Sequence, residues 1–331
     1  MAAPNSATNL ELVDDCDRFP YFQTNPEAYE RYMNTLYAFQ VPPTDPDSPP
    51  PTVGLVLPRV AEVLRGLPDW EIDDDALTLT LTGGTDAASR SAIVAQMAAA
   101  MRKTGHFQVL AKWRNELYPV YATASAPTTT NHLFDIERAA SPLFGIVTYG
   151  VHLTGFVRDP DAPHGLKIWV PRRARAKTYG SMLDNTVAGG VATGEEPFET
   201  LVREAAEEAS LPEPLIRERA TAVGTVSYFY IREERAGGET GLMQPECQYA
   251  YDIELPPDVV PKPNDDEVEG FYLWTVNEIK AALSRREFKP NCAIVMLDFF
   301  VRQGILTIEN EPDYVQIVAR LHRMIDLPKV R

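Results

Sequence analysis

Cysteine is scarce in this chain. Cys16, Cys247 and Cys292 are the three thiols in 331 residues, and they stand far apart. An odd, scattered set argues against a secreted disulfide framework and offers no metal-binding spacing. Free thiols in a reducing compartment, with a cytoplasmic location, are the expectation. The five histidines, His106, His132, His152, His164 and His322, show no ligand spacing and read as structural or surface residues. Positive charge is also short: 31 Lys and Arg face 47 Asp and Glu, a net charge of −16. That balance lacks the basic footprint of a nucleic-acid binder, so no nucleic-acid partner is expected. Long apolar runs are missing too. The most apolar stretch, 292–301, is interrupted by Asp298 and too short to span a bilayer, so no membrane partner is expected. The opening residues, MAAPNSATNLELVDDCDRF, have neither the basic start nor the apolar core of a signal peptide. Their acids also argue against an organelle transit peptide.

What is present suits a globular protein of one large or two ordinary domains, with 44% hydrophobic and 24% charged residues. Residues 1–8 read as a disordered tip, while 10–13 and 29–39 carry helical periodicity. Residues 41–53, VPPTDPDSPPPTV, form a stiff proline-rich loop. A strand over 53–57, a helix over 58–67 and extended chain over 70–82 follow, the last with LTLTLT alternating at period two. Gly83 and Gly84 turn the chain into an Ala-rich helix over 86–102. Residues 113–122 suit a strand, 125–130 a loop and 132–140 a helix. A hairpin then spans 146–158 and 166–171 across DPDAPHG. Strands are expected at 222–231, 248–255 and 271–274, and helices at 275–284, 291–303 and 312–324. The division expected is 1–140 and 141–331.

Residues 189–211, GGVATGEEPFETLVREAAEEASL, hold the chemistry. Gly189 and Gly190 lead through Glu195 into a helix on which Glu204, Glu207 and Glu208 stand at i, i+3 and i+4, hence on one face. Three like charges there cost stability unless something positive sits among them. Mg²⁺ or Mn²⁺ is the natural occupant, because hard cations take oxygen ligands and bridge to phosphates. Arg203 can orient the carboxylates, and Phe198, Leu201, Val202, Ala205 and Ala209 supply the buried face. A solvated acidic face held by ordinary i,i+4 pairs is the bland alternative, and the register of the glycines, Glu195 and the Arg-Glu pair disfavours it. Upstream, Arg172, Arg173, Arg175 and Lys177 form a basic cluster suited to gripping a diphosphate, or else a solvated loop. Asp184 and Asn185 read as turn formers. Trp113, Tyr118 and Tyr121 are candidates to stack on a ring, or core residues.

The 189–211 stretch resembles the Nudix box, G-x5-E-x7-R-E-U-x-E-E-x-G-U with U aliphatic. Gly189, Glu195, Arg203, Glu204, Ala205, Glu207, Glu208 and Leu211 match, and Ser210 replaces the glycine that closes the helix. The resemblance implies an α/β (α+β) fold, a Nudix α/β/α sandwich with a mixed sheet, preceded by an N-terminal α/β unit. It also implies that Glu207, Glu208 and the carbonyl of Ala188 ligate metal, with Glu204 as ligand or general base. An extra carboxylate from outside the box, Glu246 or Glu267, is a further candidate ligand or base. The flanks WVPRRARAKTYGSMLDNTVAGG, NDDEVEGFYLW and EFKPNCAIVMLDFFVRQG resemble the DUF4743-containing, thiamin-pyrophosphokinase-related Nudix subgroup. No G-x4-G-K-[ST] kinase loop accompanies that label. The subgroup implies metal-dependent hydrolysis of thiamin-type diphosphates, including oxo- and oxythiamin diphosphate, with the small-molecule diphosphate as partner. Rival readings are hydrolysis of oxidised nucleoside diphosphates, an isopentenyl-diphosphate isomerase, and a non-catalytic binding module. The isomerase needs a cysteine where this chain has Val187 and Ala188, and a binding module would have lost box glutamates.

Overall fold

The computed structural model describes residues 6–43, 49–122, 131–264, 266–325 and 327. The loop expected at 125–130 and part of the proline-rich segment, 44–48, lie outside the described residues, as do 1–5. Residues 6–8, expected within a free tip, are fixed. Ala7 is buried and its N–H donates to Ser284 O at 2.8 Å. Thr8 closes a capping box with Glu11 at the start of α1 (Asn9–Cys16).

Helix α2 (Pro26–Met33), capped by Asn25, ends short of the periodicity expected over 29–39. Strand β1 (Tyr37–Gln40) follows, with all four residues buried. A strand buried on both faces shows no alternation, so YAFQ carries no period that tells it from a helix. Strand β2 (Thr52–Val56), helix α3 (Pro58–Leu64) and strands β3 (Trp70–Asp73) and β4 (Thr78–Leu81) complete a sheet of order β2-β1-β4-β3. Helix α4 (Ala87–Thr104) has Asp86 as N-cap and Gly105 in the left-handed region at its C-cap. Phe39 lies within 5.8 Å, centroid to centroid, of Trp70, Phe134 and Phe144, the aromatic centre of this unit.

Strand β5 (Leu117–Tyr121) pairs antiparallel with β6 (His132–Glu137). This corrects the helix expected over 132–140: the charges suggested a helical face, but Phe134 and Ile136, two residues apart, point into the core. A one-turn helix α5 (Ser141–Phe144) leads into the C-terminal half.

That half comprises β7 (Thr148–Arg158), β8 (Leu166–Arg173), β9 (Val187–Gly190), α6 (Pro197–Ala209), α7 (Glu213–Arg219), β10 (Thr221–Ile231), β11 (Met243–Glu254), β12 (Val268–Thr275), α8 (Val276–Ser284), α9 (Pro290–Arg302) and α10 (Tyr314–Leu321). The strand order is β10-β11-β7-β8-β12, with β9 paired to β7. The β7–β11 pair is parallel and its neighbours antiparallel, so the sheet is mixed. Leu201, Val202, Ala205 and Ala209 of α6 pack on Val151, Leu153 and Val187 on one side. On the other, Ile294, Val295 and Phe299 of α9 pack on Phe156, Ile168 and Val170, joined by Leu12, Val13 and Cys16 of α1. The sandwich is therefore α/β/α, built from both ends of the chain. Each such fully buried Leu, Ile or Phe contributes roughly 1.5–3 kcal/mol. No helix among the described residues is long and apolar enough to cross a membrane.

Candidate active site

Strand β9 and helix α6 bring the box together. Val187, Ala188, Gly189 and Gly190 lie opposite Leu153, His152, Val151 and Gly150 of β7. Pro197 opens α6, where a missing N–H costs nothing. The strand and the helix then approach so closely that a Cβ at 189 would overlap the Glu204 carboxyl group. A Cβ at 190 would overlap the Tyr118 hydroxyl on the opposite side. Both positions need glycine for room. At the far end of α6, Ser210 takes the left-handed conformation (φ 54°) and donates to Lys262 O at 3.0 Å, while Leu211 is buried. The serine therefore makes the same turn as the glycine of the box pattern.

Arg203 is the hub. Its Nε and Nη2 donate to the two oxygens of Glu195 at 2.8 and 2.9 Å, and its Nη1 to Glu204 at 3.0 Å and Glu207 at 2.9 Å. The bond from Arg203 holds the Glu195 carboxyl below its ordinary range. Burial pushes Glu204 up, with Arg203 opposing. Glu208 is 8% exposed and accepts from the Ala188 N–H at 3.0 Å. Burial, reinforced by Asp184, pushes its carboxyl well above the usual range, and among the described residues it has no ion pair. Glu207 is exposed. One guanidinium thus serves Glu195, Glu204 and Glu207, while burial disfavours Glu204 and Glu208 as anions. These hard oxygen donors, with the Ala188 carbonyl on the adjoining strand, fit a divalent cation such as Mg²⁺ or Mn²⁺.

The tightest grouping of His, Cys, Asp and Glu ligand atoms among the described residues lies elsewhere. His152, Asp184 and Cys292, all buried, come within 4.8 Å of one another. That cluster is already satisfied. The Cys292 thiol donates to Asp184 Oδ1 at 2.7 Å, Arg173 pairs with Asp184 Oδ2, and His152 Nδ1 lies 2.7 Å from Asn185 Oδ1. Asp184 and Asn185, read from sequence as turn formers, tie β7, β8 and α9 together instead. The box carboxylates stand further apart because Arg203 holds Glu204 and Glu207 while Glu208 turns to Ala188.

A cavity of about 260 Å³ opens beside β9, lined by Ala188, Gly189, Gly190, Tyr118, His152 and Glu246. Six cations line it as well: Lys112, Arg114, Arg138, Arg173, Arg232 and Lys289. Among the described residues Glu246 is its one lining carboxylate, and it accepts from Tyr228 Oη at 2.5 Å and Gln248 Nε2 at 2.9 Å. The other sequence candidates are dispersed. Arg173 lines the cavity but is committed to Asp184. Arg172 donates to Ser181 O at 2.7 Å and, with Arg175, faces a separate depression. Lys177 pairs with Glu267. Trp113 packs against the N-terminal core with Arg102 4.8 Å from its ring centroid, and the cavity wall is Tyr118 instead. Tyr121 meets Tyr149 edge-on. Sequence reasoning missed Lys112, Arg114, Arg138, Arg232 and Lys289. Lys289 alone had a signal, within the quoted EFKPNC segment.

Residues 50–148 match the family described as Domain of unknown function (DUF4743), and residues 149–292 match the NUDIX domain. "Uncharacterized protein YJR142W" of Saccharomyces cerevisiae is 40% identical over 248 residues, covering 73% of this chain and 70% of that protein. "Nudix hydrolase 20, chloroplastic" and "Nudix hydrolase 24, chloroplastic" of Arabidopsis thaliana are 41% and 39% identical over 212 residues, or 63% of this chain. The chain spans about half the length of these plant relatives, 52% and 53% respectively. With a box whose metal-compatible carboxylates are all present, and with these matches along its length, the chain belongs to the Nudix hydrolase family and carries a DUF4743 unit ahead of its NUDIX domain.

Proposed function

We propose that this Nudix hydrolase cleaves an organic diphosphate to its monophosphate and phosphate. The substrates we assign are thiamin-type diphosphates, including the damaged oxo- and oxythiamin forms. The observation that carries the hydrolytic reading is the position of β9: box carboxylates meet it, and a cavity lined by six cations opens beside it. A diphosphate in that cavity would lie within a concentration of positive charge in a chain of net −16. The thiamin assignment is supported by the resemblance of the segments flanking the box.

Glu207, Glu208, Glu204 and the Ala188 carbonyl would hold Mg²⁺ or Mn²⁺, with Glu246 as an additional donor from β11. When bound, such an ion neutralises charge on the phosphates and polarises phosphorus. Glu204, its carboxyl pushed up by burial, is suited to take the proton as a water oxygen attacks phosphorus and the bridging P–O bond breaks. Arg203 holds Glu204 and Glu207 in place and is itself anchored by Glu195. Of the upstream basic cluster, Arg173 lies in the cavity wall but is held by Asp184, Arg172 and Lys177 are engaged by Ser181 and Glu267, and Tyr118 takes the ring-facing role first considered for Trp113. The two functional units divide near 140, and the three free thiols suit a reducing compartment such as the cytoplasm.

Phosphate release with Mg²⁺ from thiamin, oxothiamin and oxythiamin diphosphates, compared with an oxidised purine nucleoside diphosphate, tests the reading. Faster release from the thiamin series is expected. Preference for the nucleotide would sink the thiamin assignment, and no release from any of them would sink the hydrolase reading.

A further inference from the structure

The N-terminal unit ends against the strand that carries the box. Thr193, three residues past Gly190, donates its N–H to Leu117 O at 2.9 Å and its hydroxyl to Asp135 Oδ1 at 2.8 Å. The Tyr118 hydroxyl occupies the space a side chain at 190 would need. Arg138 follows directly on β6. Its guanidinium lies 5.5 Å from the Tyr118 ring centroid, and its Nη1 donates to Glu116 at 2.8 Å. Arg138, Arg114 and Lys112 thus reach, from one unit, the cavity that Ala188, Gly189 and Gly190 border from the other.

The cations around this cavity divide by what already holds them. Arg173 is matched by Asp184, and Arg232 by the carbonyls of Ala236 and Gly237 and the side chain of Gln244. These two are structural. Arg138 has Glu116 for one nitrogen, while Arg114, Lys112 and Lys289 have no ion pair among the described residues. Arg138 also lies near enough to the box to hold down the Glu204 carboxyl that burial pushes up. A half-buried guanidinium, two unmatched neighbours and a lysine before α9, set around one lining carboxylate, leave positive charge that an anion would satisfy.

We infer that the N-terminal unit completes the active site: Arg138 and Arg114 grip the diphosphate of the substrate beside β9, so that the NUDIX half alone holds the ligand weakly. The ligand named here rests on the hydrolase reading above. The grip itself requires only that an anionic diphosphate enters the cavity. A purely structural Arg138, cementing Tyr118 against Gly190, would affect stability and leave Arg114 without a role.

The test uses the full chain and inorganic pyrophosphate as probe, with Ca²⁺ in calorimetry and turnover of organic diphosphates measured separately with Mg²⁺. Arg114→Met and Arg138→Met are each expected to weaken pyrophosphate binding on the order of tenfold, as the loss of a charge-assisted bond does. They should raise KM more than they lower kcat, and Arg138→Lys should recover part of the affinity. Lys103→Met, at the exposed end of α4 and outside the cavity, should bind like the wild type. Arg114 is exposed, so its variant keeps the test readable even if Arg138→Met fails to fold. Wild-type affinity in every folded member of the Met pair, or no pyrophosphate binding by the wild type, overturns the inference. If binding is lost in the variants but the wild type hydrolyses no diphosphate, the proposed function falls and the grip stands. If hydrolysis is intact and binding is indifferent to both variants, the reverse holds.

Discussion

Gly189 and Glu204 compete for one volume: the space a methyl at 189 would fill is taken by the Glu204 carboxyl. The overlapping atoms all belong to the Glu204 side chain, so a methyl at 189 is accommodated only by swinging that carboxyl away from Arg203. Gly189→Ala is expected to displace Glu204 from Arg203, cut turnover at least tenfold and cost about 1–3 kcal/mol in stability, as overpacking does. Phosphate release and a urea melt measure both. Wild-type turnover with an unchanged midpoint would show that the strand gives way freely.

Glu207→Gln and Glu208→Gln are expected to lower turnover by orders of magnitude while the protein stays folded. Mg²⁺ should raise the melting temperature of the wild type through linkage, and EDTA should abolish both that rise and the hydrolysis. Activity that survives EDTA, or wild-type hydrolysis in both variants, would refute the metal assignment.

Ser210 allows a backbone test that leaves the chemistry alone. A non-glycine residue in the left-handed region costs roughly 1 kcal/mol, against which its exposed bond to Lys262 O returns about half. Ser210→Gly should therefore stabilise the protein by on the order of 0.5 kcal/mol with kcat unchanged. A lower melting temperature would mean that the hydroxyl bond outweighs the strain.

His152 gives the fold an acid limit. Burial first, then Lys289, depress its pKa from 6.5 to about 4, against opposing contributions from Asp184 and Asn185. The unfolded chain binds this proton below 6.5 and the folded chain does not until about 4. Stability is therefore full above 6.5 and is lost as pH falls toward 4, by about 3 kcal/mol at about 1.4 kcal/mol per unit. Denaturant melts of His152→Gln and wild type should differ most at pH 7.5 and converge by that amount near pH 4.5. A pH-independent difference would refute the buried neutral imidazole.

The box could be read from sequence because its chemistry is local. Glu204, Glu207 and Glu208 occupy one helical face at a fixed spacing, and Gly189 and Gly190 precede them within the same short segment. The hairpin of β7 and β8 was legible for the same reason. The rest depends on distant neighbours. Strand β1 is buried throughout and has no period to read, while β6 carries charges that imitate a helix. Asp184 and Cys292 meet across 108 residues, and Arg138 reaches Gly190 only through Tyr118. Nothing in the spacing of Lys112, Arg114, Arg138 and Lys289 hints that they share a wall.

Helix α1 carries one more implication. Asp17, just past its end, accepts from Arg323 at 2.8 Å across 306 residues. Its acids are also held by Arg320, while Leu12 and Val13 lie among α9 side chains. Asp17 and its neighbours therefore find these partners only after some 306 further residues have been made. Such long-range closure slows folding and leaves apolar surface open in the meantime. On the ribosome, α1 has nowhere to settle until α9 and α10 have been made.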